Sequence, residues 1–137
     1  MSELRLHTEP YGELLLLPHV PCLMVRWNGF VNSQNLRFLL NKGLELYQHY
    51  ARQYPSLGWV TDARRFGAML PADQQWAVAD WNHRAYAAGI RRLVFLNPEN
   101  IFGQIAIQQY AQNTAHATGL RVTYVSSVEA AARELAG

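Results

Sequence analysis

The sequence predicts an α/β fold: a mainly parallel sheet of four to five strands with an antiparallel edge hairpin at its N-terminal end. Three observations predict it. Short apolar runs alternate with segments of helical periodicity, and parallel strands need such helical crossovers between them. Half of the 137 residues are apolar and only 16% are charged, a composition that can fill a core and is far from that of a disordered chain. Asn28-Gly29, Tyr54-Pro55, Gly89, Asn97-Pro98 and Gly119 punctuate the boundaries between runs. The expected order is β-β-α-β-α-β-α-β-α, one domain over residues 1–137, the size of a single core.

Leu14–Leu17 and Cys22–Trp27 read as two strands joined by a tight connection through Pro18 and Pro21. Asn32-Ser33 offers a helix N-cap, and Leu36, Leu39, Leu40, Gly43, Leu44 and Tyr47 then recur at helical spacing. Tyr54-Pro55 stops that helix, because proline pushes the preceding residue out of the helical region. Leu57–Asp62 is the next strand, ending at its aspartate. Pro71-Ala72-Asp73 suits a helix start, with Gly89 as a C-cap. Arg92–Leu96 and Arg121–Val125 are strands, and a helix spans Ile101 to Ala117 between them. Ser126-Ser127 caps a last helix that shows Val128, Ala131, Ala132 and Leu135 on one face.

Several function classes fall away. The formal charge is +2, and Arg64-Arg65 and Arg91-Arg92 are the only basic pairs, so no stripe tracks a phosphate backbone and nucleic acid is not an expected partner. The single cysteine, Cys22, lies among Val20, Leu23, Met24 and Val25 and reads as a small buried hydrophobe. No window is long and apolar enough to span a membrane, and the N-terminus does not read as a secretory leader. A cytoplasmic protein is expected. His7, His19, His49, His83 and His116 show no metal spacing, and no Gly-x-Gly-x-x-Gly, Walker or Gly-x-Ser-x-Gly pattern occurs. No metal or other cofactor is expected.

Ligands of open α/β sheets dock outside the carboxyl ends of the strands, which directs attention to Asp62, Arg64 and Arg65. Asn28 and Ser33 flank the loop that opens the longest helix, where free N–H groups converge. The second helix carries two stripes. Val78, Trp81, Ala85 and Ala88 form one; Trp76, Ala79, His83 and Tyr86 form the other. A surface helix needs one apolar stripe, so Trp76, Trp81, His83 and Tyr86, with Phe38 on the preceding helix, are candidates for an interface or a pocket wall.

Val25-Arg26-Trp27-Asn28-Gly29, Gly58-Trp59-Val60-Thr61-Asp62 and Ala88-Gly89-Ile90-Arg91-Arg92-Leu93-Val94-Phe95 all sit at strand boundaries. With the ending Val125-Ser126-Ser127-Val128-Glu129-Ala130-Ala131, they resemble the SpoIIAA-like or STAS/SEC14-type family, which includes anti-sigma-factor antagonists, over residues 12–136. The resemblance implies a protein-interaction or regulatory module. It also implies a phosphoacceptor hydroxyl directly after the strand aspartate. Asp62 matches that aspartate, but Ala63 and Arg64 follow it, so phosphorylation at this position is not expected.

The expected function is therefore a non-enzymatic interaction module, forming a homodimer or binding another protein. The alternative is a small apolar-ligand or lipid-binding protein with a pocket near Trp59, Trp76 and Trp81. An enzyme using Asp62, Arg64 and His83 as an acid–base set ranks third.

Overall fold

The computed structural model describes residues 3–117 and 119–136, without the side chains of His116 and Ala117. The expectation placed on His116 lies outside the described residues. A six-stranded sheet is built in chain order from β1 (Leu4–Glu9), β2 (Gly12–Leu17), β3 (Cys22–Gly29), β4 (Gly58–Phe66), β5 (Arg92–Leu96) and β6 (Arg121–Val125). The first three strands are antiparallel, and the β3–β4, β4–β5 and β5–β6 pairs are parallel. Helices follow the parallel strands: α1 (Ser33–Ala51), α2 (Pro71–Trp76) running through a π-helical turn (Ala77–Trp81) into α3 (Asn82–Ala87), α4 (Ile101–Ala117) and α5 (Val128–Ala136).

The α/β class is as expected, with two corrections. The β2–β3 hairpin is not the edge of the sheet, because β1 adds a sixth strand outside it. In β1 only Leu6 packs against the core, and Arg5, His7 and Glu9 alternate with it, so the strand carries little hydrophobic signal. Nor does β4 stop at Asp62. Asn28 pairs with Arg65 and Gly29 with Phe66, which carries the ladder four residues further. One extra β4 residue lies between the Arg26–Asp62 and Asn28–Arg65 pairs, a bulge that returns Phe66 to the helix-covered face.

The two faces of the sheet bury separate cores. Leu14, Leu16, Val25, Trp59 and Phe95 pack under α1, α2–α3 and α4. Leu15, Leu17, Met24, Val60, Val94 and Leu96 face the other way, where α5 contributes Ala131, Val128 and Leu135. Helix α1 buries the expected stripe, and Asn32 caps it by accepting from the Asn35 N–H at 2.8 Å. Gly43 lies where α1 meets the sheet: a Cβ there would come within 2.8 Å of the Trp59 ring and 3.2 Å of Leu14. Gly43→Val is expected to lower stability by about 1–3 kcal/mol through overpacking, measured by urea denaturation.

Of the two stripes of the second helix, one faces the core and the other lies at the surface. Gln74, Ala77, Trp81 and Ala85 are buried, whereas Ala79, His83 and Tyr86 are exposed and Trp76 is half-buried. The Arg37 guanidinium lies 5.1 Å from the Trp76 ring and that of Arg84 6.0 Å, while Arg91 lies 3.8 Å from the Tyr86 ring. The second stripe is thus a surface on which arginine stems and aromatic rings cover one another.

Candidate functional site

Asp62 sits on β4 beside Arg26 of β3, with its side chain only 4% exposed. Arg26 Nε donates to Oδ2 at 2.9 Å. Arg64, two residues along the same strand and so on the same face, donates from Nε to Oδ1 at 2.9 Å and from Nη2 to Oδ2 at 2.8 Å. The Arg64 backbone N–H adds a bond to Oδ1 at 3.3 Å, and Arg26 also reaches Glu3 at 3.2 Å. Burial alone would raise the carboxyl pKa. The hydrogen bonds from Arg64 and Arg26 outweigh it and hold Asp62 below the ordinary carboxylate value. A carboxylate saturated by guanidinium donors is a weak base, so this geometry suits a structural node better than proton abstraction.

The node forms the floor of a polar cleft of about 470 Å³, walled by Glu9, Glu13, Asn28, Arg65 and Glu99. Arg65 is exposed and, among the described residues, forms no ion pair, whereas Arg64 is bound to Asp62. Asn28 donates to the Pro10 carbonyl at 3.3 Å, which ties the end of β3 to the β1–β2 turn. Ser33 lies apart from this group. Its hydroxyl donates to Asp73 at 2.9 Å and joins the starts of α1 and α2. Of the residues expected to form the ligand edge, the structure brings together Asp62, Arg64, Arg65 and Asn28 and leaves out Ser33.

The aromatic candidates separate in the same way. Trp81 is 2% exposed, packs with its ring tilted 58° against that of Trp59 at 5.1 Å and donates its indole N–H to the Leu40 carbonyl at 2.9 Å. Both tryptophans line an apolar cavity of about 50 Å³ with Phe66, Met69 and Phe95, and Trp76 is not part of its wall. Phe38 is exposed, with its ring 5.5 Å from that of His7. His83 is exposed on α3 and shares no hydrogen bond or ion pair with Asp62 among the described residues. Burial raises the Cys22 thiol to about 12, so it stays protonated. Among the described residues no group of three or more His, Cys, Asp or Glu side chains could hold a metal ion, and no helix is long and apolar enough to cross a membrane.

A further surface lies at the same edge. The loops after β3, β4 and β5 meet at Phe66-Gly67: Gly67 N–H donates to Gly29 at 3.0 Å, and Asn100 Nδ2 donates to the Phe66 carbonyl at 2.7 Å. A Cβ on Gly103 would lie 2.5 Å from that same carbonyl, so only glycine lets α4 start this close to β4. On these loops and the first turn of α4, Phe30 is 59% exposed, Ile101 58% and Phe102 70%, with Leu70 exposed nearby. Sequence reasoning missed this surface, and also Arg26 as a partner of Asp62. Two signals were available: α4 contains no Asp, Glu, Lys or Arg, and Arg26 is the lone charge in an otherwise apolar β3 run.

No protein-family model matches the chain, and no curated protein or solved structure is significantly similar to it.

Proposed function

We propose that the chain is a non-enzymatic protein-interaction or regulatory module of the STAS/SpoIIAA-like type, without a phospho-switch, that receives a protein partner at the carboxyl edge of its sheet. One observation carries the reading: Phe30, Leu70, Ile101 and Phe102 stand exposed around Phe66-Gly67, at the edge where α/β sheets bind their ligands. The partner surface that fits is apolar at its centre, with a carboxylate to meet the exposed Arg65. Support comes also from Asp62, whose oxygens are occupied within the chain, and from Ala63, which is fully buried and has no hydroxyl.

Phe102→Asp puts a charge at the centre of that surface without touching the core. Proteins that co-purify with the tagged wild type from native cells are expected to fall at least about tenfold with Phe102→Asp. They are expected to be retained with Glu45→Lys on the exposed side of α1. Equal recovery with both variants contradicts the reading.

A second reading rests on the cavity between Trp59 and Trp81. A volume of about 50 Å³ fits a molecule of very few heavy atoms and leaves no room for a lipid chain in this conformation. A small apolar ligand recovered by mass spectrometry from purified protein would favour it.

A further inference from the structure

The two edges of the sheet are built differently. Strand β1 carries Arg5, His7 and Glu9, and its register with β2 shifts between Arg5 and His7. Charge and a bulge are the features that keep an edge strand from pairing with another chain. Strand β6 has an unbroken register with β5, no proline, and Arg121 as its single charge. Its inward groups are fixed by two bonds: Arg121 N–H donates to the Arg91 carbonyl at 3.1 Å, and the Val125 carbonyl accepts from Asn97 at 3.2 Å. Alternation along the strand then turns the N–H and C=O of Val122 and Tyr124 outward, to the side where no described strand lies. Beside them runs the charge-free helix α4. Gln108, Ala111, Gln112 and Ala115 form with β6 a groove of about 760 Å³.

We propose that this edge joins two copies of the chain, with β6 pairing antiparallel about a two-fold axis at Thr123. The outward groups set the register: Val122 faces the partner's Tyr124, and each such pair exchanges both of its N–H···O=C bonds. Small and amide side chains on α4 let the two helices approach across the axis without burying a charge. Charge also selects a second copy as the occupant. Arg121 and Glu129 are both exposed, and neither forms an ion pair within the chain among the described residues.

Arg121 shares a strand parity with Val125, which packs on the α5 face, and Glu129 stands in the first turn of α5. Antiparallel pairing brings Arg121 beside the partner's Val125, and so toward the partner's Glu129, once on each side of the axis. A parallel arrangement would instead set the two Arg121 side chains against each other, and an unrelated strand supplies no matched carboxylate. The interface lies on β6 and α4 and does not depend on the partner surface proposed above.

Sedimentation equilibrium of the full chain over about 1–100 µM tests the proposal. The wild type is expected at twice the chain mass. Val122→Pro removes an outward N–H and no bond to β5, and is expected to weaken the dimer at least about tenfold. Arg121→Glu and Glu129→Arg are each expected to weaken it about three- to tenfold, and the double exchange to restore it. A monomer at the highest concentration overturns the proposal. So does an unchanged dissociation constant in Val122→Pro, or a double exchange no tighter than the single variants. Phe102→Asp is expected to leave the mass unchanged, so this result and loss of the partner reading are separately visible.

Discussion

Asp62→Asn is expected to lower stability by about 2–3 kcal/mol at neutral pH, measured by urea denaturation with circular dichroism. Removing one partner of a buried ion pair ordinarily costs about 3–5 kcal/mol. The lower figure applies here because the Arg26 and Arg64 side chains are 27% and 43% exposed and can recover water when the carboxylate is lost. The pH dependence is the sharper check. The carboxyl is held below its unfolded value of about 3.9, so its contribution is fully present above that pH and is lost as pH falls through the lower folded value. The wild type and Asp62→Asn curves should therefore run parallel above about pH 5 and converge in acid. A gap that persists into strong acid would show that Asp62 acts through something other than its charge.

Trp81→Ala is expected to have the larger effect, a loss of about 3–5 kcal/mol. The substitution removes a 2% exposed ring packed on Trp59, leaves the Leu40 carbonyl without its indole donor, and enlarges an existing cavity. The enlarged space is apolar and ring-shaped, so millimolar indole should raise the melting temperature of Trp81→Ala and leave that of the wild type unchanged. The association state should not respond to Trp81→Ala beyond what unfolding causes, because the ring reaches no outer surface. If the variant folds with wild-type stability, the packing described around α1 and the π-helical turn is wrong.

The sequence made the alternation of elements legible because buried strands and one-sided helices have different periods. Leu36 to Tyr47 and Arg92 to Leu96 needed nothing beyond their own spacing. It hid β1, whose residues are mostly polar because an edge strand buries little. It also hid the extension of β4, because Arg64 and Arg65 read as a turn unless their pairing with β3 is known. At the site, Asp62 and Arg64 draw attention because the sequence places a strand end at Asp62; β4 instead runs on to Phe66, and the lock between the two residues involves Arg26, 36 residues before Asp62 in the chain. On the aromatic helix, Arg37 and Arg84 lie over the Trp76 ring and Arg91 over the Tyr86 ring, and only Arg84 belongs to the same helix, so these contacts are not legible from local spacing. The exposed Phe30, Ile101 and Phe102 come together only because three loops converge on Phe66-Gly67, a tertiary arrangement that no local pattern encodes.

Binding of a protein at the carboxyl edge is open to test by site-specific photocrosslinking. A benzophenone amino acid placed at Phe102, and in parallel at exposed Glu45 on α1, is irradiated in native cells expressing the full chain. Position 102 is expected to give a discrete covalent adduct of defined mass, abolished when Phe30 is replaced by aspartate, and position 45 is expected to give none. Equal or absent crosslinking at the two positions would contradict it.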